Sequence, residues 1–234
     1  MKTSINFVII FFLATGLIGC SKISDKIEKK VNEEATEQIQ KQTGEVNKQL
    51  KQADSLTTSA SEQTEKEMKV KEALNEEKIL NDPNGEWASD ADASSTYSTN
   101  PKDKETGWSP YKMVGKPDVD KYGDNGNAWA SKNPNKGIEW VKLTFPKAVN
   151  ATGIRIRQSY NPGAVIKIEL IDDKGKNHTV WSGVDDTKYE TGKIKYFSTN
   201  FDKTDYKTKT VKITLATNSV SGWNEIDAVQ LVGE

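Results

Sequence analysis

Cys20 and His178 are each the only residue of their kind in this chain, and that alone removes several kinds of chemistry. A transition-metal centre built from Cys and His needs three or four such ligands. No Gly-x-Ser-x-Gly elbow occurs, so a Ser/His/Asp triad has only His178 to serve as base, in or just after a turn, where an imidazole reads as a surface side chain. Asp172 with Asp173, and Asp185 with Asp186, are adjacent carboxylates of the kind glycoside hydrolysis uses in pairs. Neighbours in a turn point apart into solvent, so these read as turn formers. The chain is expected not to be an enzyme.

Two other groups of side chains suit binding. The loop Pro117-Asp118-Val119-Asp120-Lys121-Tyr122-Gly123-Asp124-Asn125-Gly126-Asn127 concentrates oxygen ligands. It is not an EF-hand: counting from Asp118, Tyr122 and Trp129 fall where an oxygen ligand and a bidentate Glu are required. The other group is arginine. Against 31 Lys there are two Arg, Arg155 and Arg157, in one strand-like run with Ile154 and Ile156. Residues two apart share a face, so the isoleucines take the inside and both guanidinium groups the outside. A planar fork does what lysine cannot: it makes a cross-strand pair, such as Arg155 with Glu169, or it holds a ligand, as Arg157 would beside the loop Gln158-Ser159-Tyr160-Asn161-Pro162-Gly163.

The elements that position these groups begin after an export signal. Lys2 precedes an apolar run over residues 5–13, too short for the roughly 20 residues that cross a bilayer, and the chain has no second such run. Leu17-Ile18-Gly19-Cys20 resembles the lipobox of bacterial lipoproteins. That resemblance implies a signal peptide over 1–19 and diacylglycerol on the Cys20 sulfur, with a further acyl chain (palmitate) on the new N-terminus in many species; two or more chains anchor stably where one does not. The mature chain is expected on the cell envelope, facing away from the cytoplasm, on an outer membrane where the cell has one. From 20 to 80 the chain holds no Trp, Tyr, Phe or Pro and builds no core of its own. Ile23, Ile27, Val31, Ala35 and Ile39, then Val46, Leu50, Ala53 and Leu56, keep helical spacing among Lys, Glu and Gln. This segment is expected to be a helical or partly disordered stalk, either solvated or oligomerising, and dispensable for the folding of residues 85–234.

All six Trp, seven Tyr and seven Pro lie beyond residue 80, and there the period shortens to two. Val141-Lys142-Leu143-Thr144-Phe145, ended by Pro146, then residues 154–157, 166–170 and 211–215, alternate as half-buried strands do. Residues 171–177 carry turn chemistry between two strands. Many short strands without a helical pattern indicate an all-β, two-sheet antiparallel sandwich over 85–234.

Ala91-Asp92-Ala93-Ser94-Ser95-Thr96-Tyr97, Glu139-Trp140-Val141-Lys142-Leu143-Thr144-Phe145, Ala151-Thr152-Gly153-Ile154-Arg155-Ile156-Arg157 and Trp223-Asn224-Glu225-Ile226-Asp227-Ala228-Val229 resemble, in that order, the discoidin family of galactose-binding-like jelly rolls (coagulation-factor type C domains). The family implies a binding module, with sugars, phospholipid head groups, collagen or proteins as its ligands; fold does not choose among them. The disulfide that joins the ends of animal members is absent, and so is the usual Asp-Gly-Asn loop. In calcium-binding relatives an early loop and a Glu on the last strand share the ion, which points to Asp120, Asp124 and Glu225. In sugar-binding relatives loops at one end hold the ligand. The loop of Tyr160 and Asn161 and the loop Asn218-Ser219-Val220-Ser221-Gly222-Trp223-Asn224 are therefore the expected site: Trp223 or Tyr160 stacks on a pyranose while Arg157, Asn161 and Asn218 hydrogen-bond its hydroxyls. Trp129 is a further candidate, and for each Trp the alternative is the core.

Charge excludes one partner class. Residues 81–234 carry 21 Lys plus Arg and 21 Asp plus Glu, so no basic field points to nucleic acid. Two functions remain open: a lipid-anchored glycan-binding module, or a docking lipoprotein whose partner is another envelope protein.

Overall fold

The computed structural model describes residues 21–234; the export signal and the lipidation site Cys20 lie outside the described residues. The chain forms two compact units, Met1–Lys71 and Glu72–Glu234. Helix α1 runs Ser21–Leu80, a stretch of strong helix formers with no proline. Along it Val31, Ile39, Val46 and Leu50 are exposed. Among the described residues no helix is long and apolar enough to cross a membrane. The second unit begins at Glu72, earlier than the boundary near residue 85 that composition suggests, because the end of α1 is part of its packing: Ile79 is buried.

The second unit is an antiparallel sandwich of nine strands: β1 Gly85–Trp87, β2 Asp90–Ala93, β3 Trp129–Ala130, β4 Ile138–Tyr160, β5 Val165–Asp172, β6 Asn177–Ser182, β7 Lys195–Asn200, β8 Lys207–Ala216 and β9 Glu225–Gly233. A 3-10 turn, Pro110–Met113, interrupts the long loop between β2 and β3. One sheet pairs β2, β4, β8, β5 and β6 in that order. The other pairs β1 and β3 with β9, then β4, then β7.

β4 belongs to both sheets. Its first half pairs with β2 as far as Thr144 and with β8 as far as Asn150, and from Ala151 its second half pairs with β9 and then also with β7. The sequence reads these halves as two strands separated at Pro146. The chain instead stays extended through the proline at a place where the β8 pairing is interrupted, between Thr144 and Val149, so the missing N–H costs no ladder bond. The alternating residues meet inside: Val141, Leu143, Phe145, Ile154 and Ile156 of β4 pack with Ile168, Leu170, Val211, Ile213, Leu215, Ile226 and Leu231. Each such side chain contributes roughly 1.5–3 kcal/mol on burial.

The turn after β5 forms as read. Asp172 Oδ1 accepts the N–H groups of Lys174 and Lys176 at 2.9 Å, and Gly175 takes φ +79°. β9 is buried along nearly its whole length, polar residues included. The 110–125 segment and the end of α1 contribute contacts to it: Asp227 accepts from the backbone of Asp118 and Val119, and Gln230 donates to Ile79.

Candidate functional site

At one end of the sandwich Tyr97, Trp108, Asp124, Ala130, Trp223 and Glu225 line a cavity of about 100 Å³. Tyr97 stands edge-on to both tryptophans, with ring centroids 5.2 Å from Trp108 and 5.8 Å from Trp223. The backbone of Trp108 has φ +57°, a conformation that bulky residues seldom adopt. Its surroundings hold it there: its N–H donates to Gly126 O at 2.9 Å, and its carbonyl accepts the Thr96 hydroxyl at 2.7 Å. Both indole N–H groups are engaged, Trp108 Nε1 with Asp124 Oδ1 and Trp223 Nε1 with Ser131 O, each at 3.1 Å.

Glu225, at the start of β9, is 1 % exposed. Its Oε2 accepts the Asn125 N–H at 3.1 Å, while Oε1 accepts no hydrogen bond. Burial, joined by the neighbouring Asp124 carboxyl, pushes Glu225 up to about 8. Burial therefore favours the protonated form of Glu225 at neutral pH.

The two loops expected to form the site do meet. Asn161, at φ +43°, donates from Nδ2 to Trp223 O at 2.9 Å, and Asn224 donates back to Asn161 O at 2.8 Å. Tyr122 OH lies 3.4 Å from Asn161 Oδ1, and Tyr160 is edge-on to Tyr122 at 5.5 Å. Asn161 is thus a fastener between loops, Tyr160 is half-buried against Tyr122, and Asn218 is exposed on the adjoining turn. Of the expected ligand residues, Trp223 is the one that lines the aromatic cavity. Tyr97 and Trp108, its partners there, were not singled out as ligand residues in the sequence.

Trp129 is a core residue, not a ligand platform. It is 0 % exposed, with its indole N–H on Ser95 O at 3.1 Å. Arg157 is buried too. Its Nη1 pairs with Asp227 and donates to Val119 O at 2.6 Å, and its Nη2 reaches Glu76 of α1 at 3.2 Å. Arg155 does not meet Glu169, because the two belong to different sheets; it pairs with Asp82 at 2.8 Å and Gln230 at 2.6 Å, and Glu169 takes Lys167. A second, wider cavity of about 640 Å³ includes Glu72, Asp120, Arg157 and Lys195 in its lining. Lys195 bridges to Glu72 there at 2.5 Å.

The three carboxylates considered for calcium separate accordingly. Asp124 and Glu225 share the aromatic cavity while Asp120 lines the other, and among the described residues no three or more His, Cys, Asp or Glu side chains group as a metal site. His178 is taken up locally, its Nε2 2.8 Å from Asp172 and its ring stacked on Tyr206 at 3.9 Å.

Residues 91–234 match the family described as Pappalysin-1, SD scarf domain, C-terminal, and the chain belongs to that family. No curated protein matches it. Solved structures of similar fold include chitosan-binding module 1 from a chitosanase/glucanase of Paenibacillus sp. IK-5 (14 % identity, 62 % of this chain and 96 % of that one, TM-score 0.42). The family 32 carbohydrate-binding module of C. perfringens NanJ, in complex with galactose, is another (15 %, 63 % and 98 %, TM-score 0.40). A third is the same type of module from AlyQ in complex with 4,5-unsaturated mannuronic acid (19 %, 60 % and 95 %, TM-score 0.39).

Proposed function

We propose that the β-sandwich is a non-catalytic glycan-binding module, held at the outer side of a bacterial membrane by lipid on Cys20 and spaced from it by α1. The observation that carries the binding reading is the cavity lined by Tyr97, Trp108 and Trp223 together with the carboxyl groups of Asp124 and Glu225. Aromatic faces stack on the C–H face of a sugar ring, and fixed polar atoms beside them orient it. A glycan array with the full chain tests this: binding that Tyr97→Ala removes is the expected result, and an array with no bound glycan sinks the reading. The anchor has its own test. Cys20→Ser is expected to move the protein from the detergent phase to the aqueous phase, because no other run of the sequence is apolar enough to hold it; unchanged partitioning means the lipid is not the anchor.

The second reading, docking to another envelope protein, has in its favour the apolar side chains Val31, Ile39, Val46 and Leu50 exposed along α1. Replacing all four with Gln separates the two, since a glycan-binding module keeps its ligand and a docking helix loses its partner.

A further inference from the structure

The aromatic cavity is unusual in what it does not offer. A neutral sugar hydroxyl is both donor and acceptor and is best held by a mixture of the two. Here both indole N–H groups are already engaged, by Asp124 and by Ser131 O, and no Lys or Arg is among the lining residues. Apart from the Tyr97 hydroxyl and the proton on Glu225, the side chains of the cavity present acceptors and aromatic rings: Asp124 beside Glu225, and Tyr97, Trp108 and Trp223. Glu225 Oε1 is buried and accepts nothing, an acceptor left open in the wall of a cavity.

The group that matches is donor-only, positively charged and small. An ammonium is all three: it has three N–H donors and no acceptor, it is drawn to the negative faces of aromatic rings, and it fits about 100 Å³ where a whole saccharide does not. Calcium matches less well. It needs six to eight oxygen ligands, and of the four carboxylate oxygens here one already takes the Trp108 indole N–H and another the Asn125 N–H, while the rest of the wall is largely aromatic. Resting on the glycan reading above, we propose that the cavity formed by Tyr97, Trp108, Asp124, Trp223 and Glu225 receives the free ammonium group of an amino sugar whose nitrogen is not acylated. The nitrogen sits against Glu225 Oε1 and Asp124, and Tyr97 and the two indoles enclose the carbon that bears it.

Isothermal titration of the full chain with a glucosamine trisaccharide, and with the same trisaccharide fully N-acetylated, tests the assignment. The free amine is expected to bind at least tenfold more tightly. Glu225→Gln, which keeps the shape and removes a carboxyl that can give up its proton to face an ammonium ion, and Tyr97→Ala, at a position 52 % exposed, are each expected to weaken it at least tenfold with the fold intact by circular dichroism. Equal or tighter binding of the acetylated sugar that Tyr97→Ala abolishes overturns the ammonium and leaves the glycan reading standing. So does full affinity for the free amine in Glu225→Gln. Calcium that displaces the free amine through Asp124 and Glu225 overturns it in favour of a metal site. Failure of both sugars, together with an empty glycan array, removes both readings.

Discussion

The side-chain amide of Gln230, fully buried on β9, donates to the main-chain carbonyl of Ile79 in the last turn of α1 at 3.0 Å. That carbonyl is one of the four a helix leaves without an internal partner at its C-terminus, so a sheet residue caps the helix. Gly85 completes the joint, because a Cβ there would fall 2.3 Å from the Gln230 amide nitrogen.

Truncation at residue 85 is therefore expected to destabilise the sandwich, although composition suggests the preceding segment is dispensable. It exposes the site of Ile79, worth roughly 1.5–3 kcal/mol, and leaves the Gln230 donor open at about 1–3 kcal/mol. Chains starting at residues 72 and 85 should differ in Tm by several degrees, at about 2–4 °C per kcal/mol for a domain of this size. Equal midpoints would show that the end of α1 is an ornament.

Breaking the ion pair between Arg157 and Asp227 is expected to be severe. Both groups are buried, and Asp227 stays high in pKa through burial even with the arginine beside it. Arg157→Met leaves a buried carboxylate without its cation, at a cost of about 3–5 kcal/mol. Thermal melts that drop sharply for this variant, and recover in part when Asp227→Asn is added, give the pair a structural role; a melt within a degree of wild type would return Arg157 to the list of ligand residues.

What the sequence conceals here is long-range. Its period of two shows that Ile154 and Ile156 face inward and both arginines outward, which the structure bears out. What covers the outer face cannot be read locally, since Glu76 comes from the end of a segment that looks like a solvated stalk and Asp82 from just beyond it. Asp120 and Asp124 lie four apart in one loop and resemble a shared ion site, yet the path of the loop sends them to different cavities. Trp108 reaches the aromatic cavity through a backbone conformation that nothing in its composition announces.

Glu225 makes stability depend on pH in a direction opposite to an ordinary paired carboxylate. Its pKa rises from 4.5 to about 8 on folding, first through burial, so between those values the folded state keeps a proton that the unfolded chain has released. The stability it contributes is complete below about pH 4.5 and is lost as pH rises through about 8. Glu225→Gln has no such proton to lose and leaves an amide beside Asp124. Its Tm is expected to match wild type near pH 4.5 and to exceed it at pH 8.5. Two parallel curves of Tm against pH would mean that Glu225 is ionised in the fold.

Trp129 and Tyr97 are the sharpest contrast between core and site. Trp129 is 0 % exposed and surrounded by the packed interior, so Trp129→Ala should lower unfolding free energy by about 3–5 kcal/mol. Tyr97 is 52 % exposed, and its ring makes T-shaped contacts with two indoles. Its loss removes two aromatic contacts worth about 0.5–1.5 kcal/mol each in better-buried settings, and less here. Urea unfolding of both variants, with glycan binding measured on whatever remains folded, should therefore show opposite patterns: Trp129→Ala loses stability first, and binding only because the fold is lost, whereas Tyr97→Ala keeps its unfolding midpoint within a few tenths molar urea, by the usual slope of about 1–3 kcal/mol per molar, and loses the ligand. If Tyr97→Ala binds as wild type does, the cavity beside Trp108 is not where this protein meets its glycan.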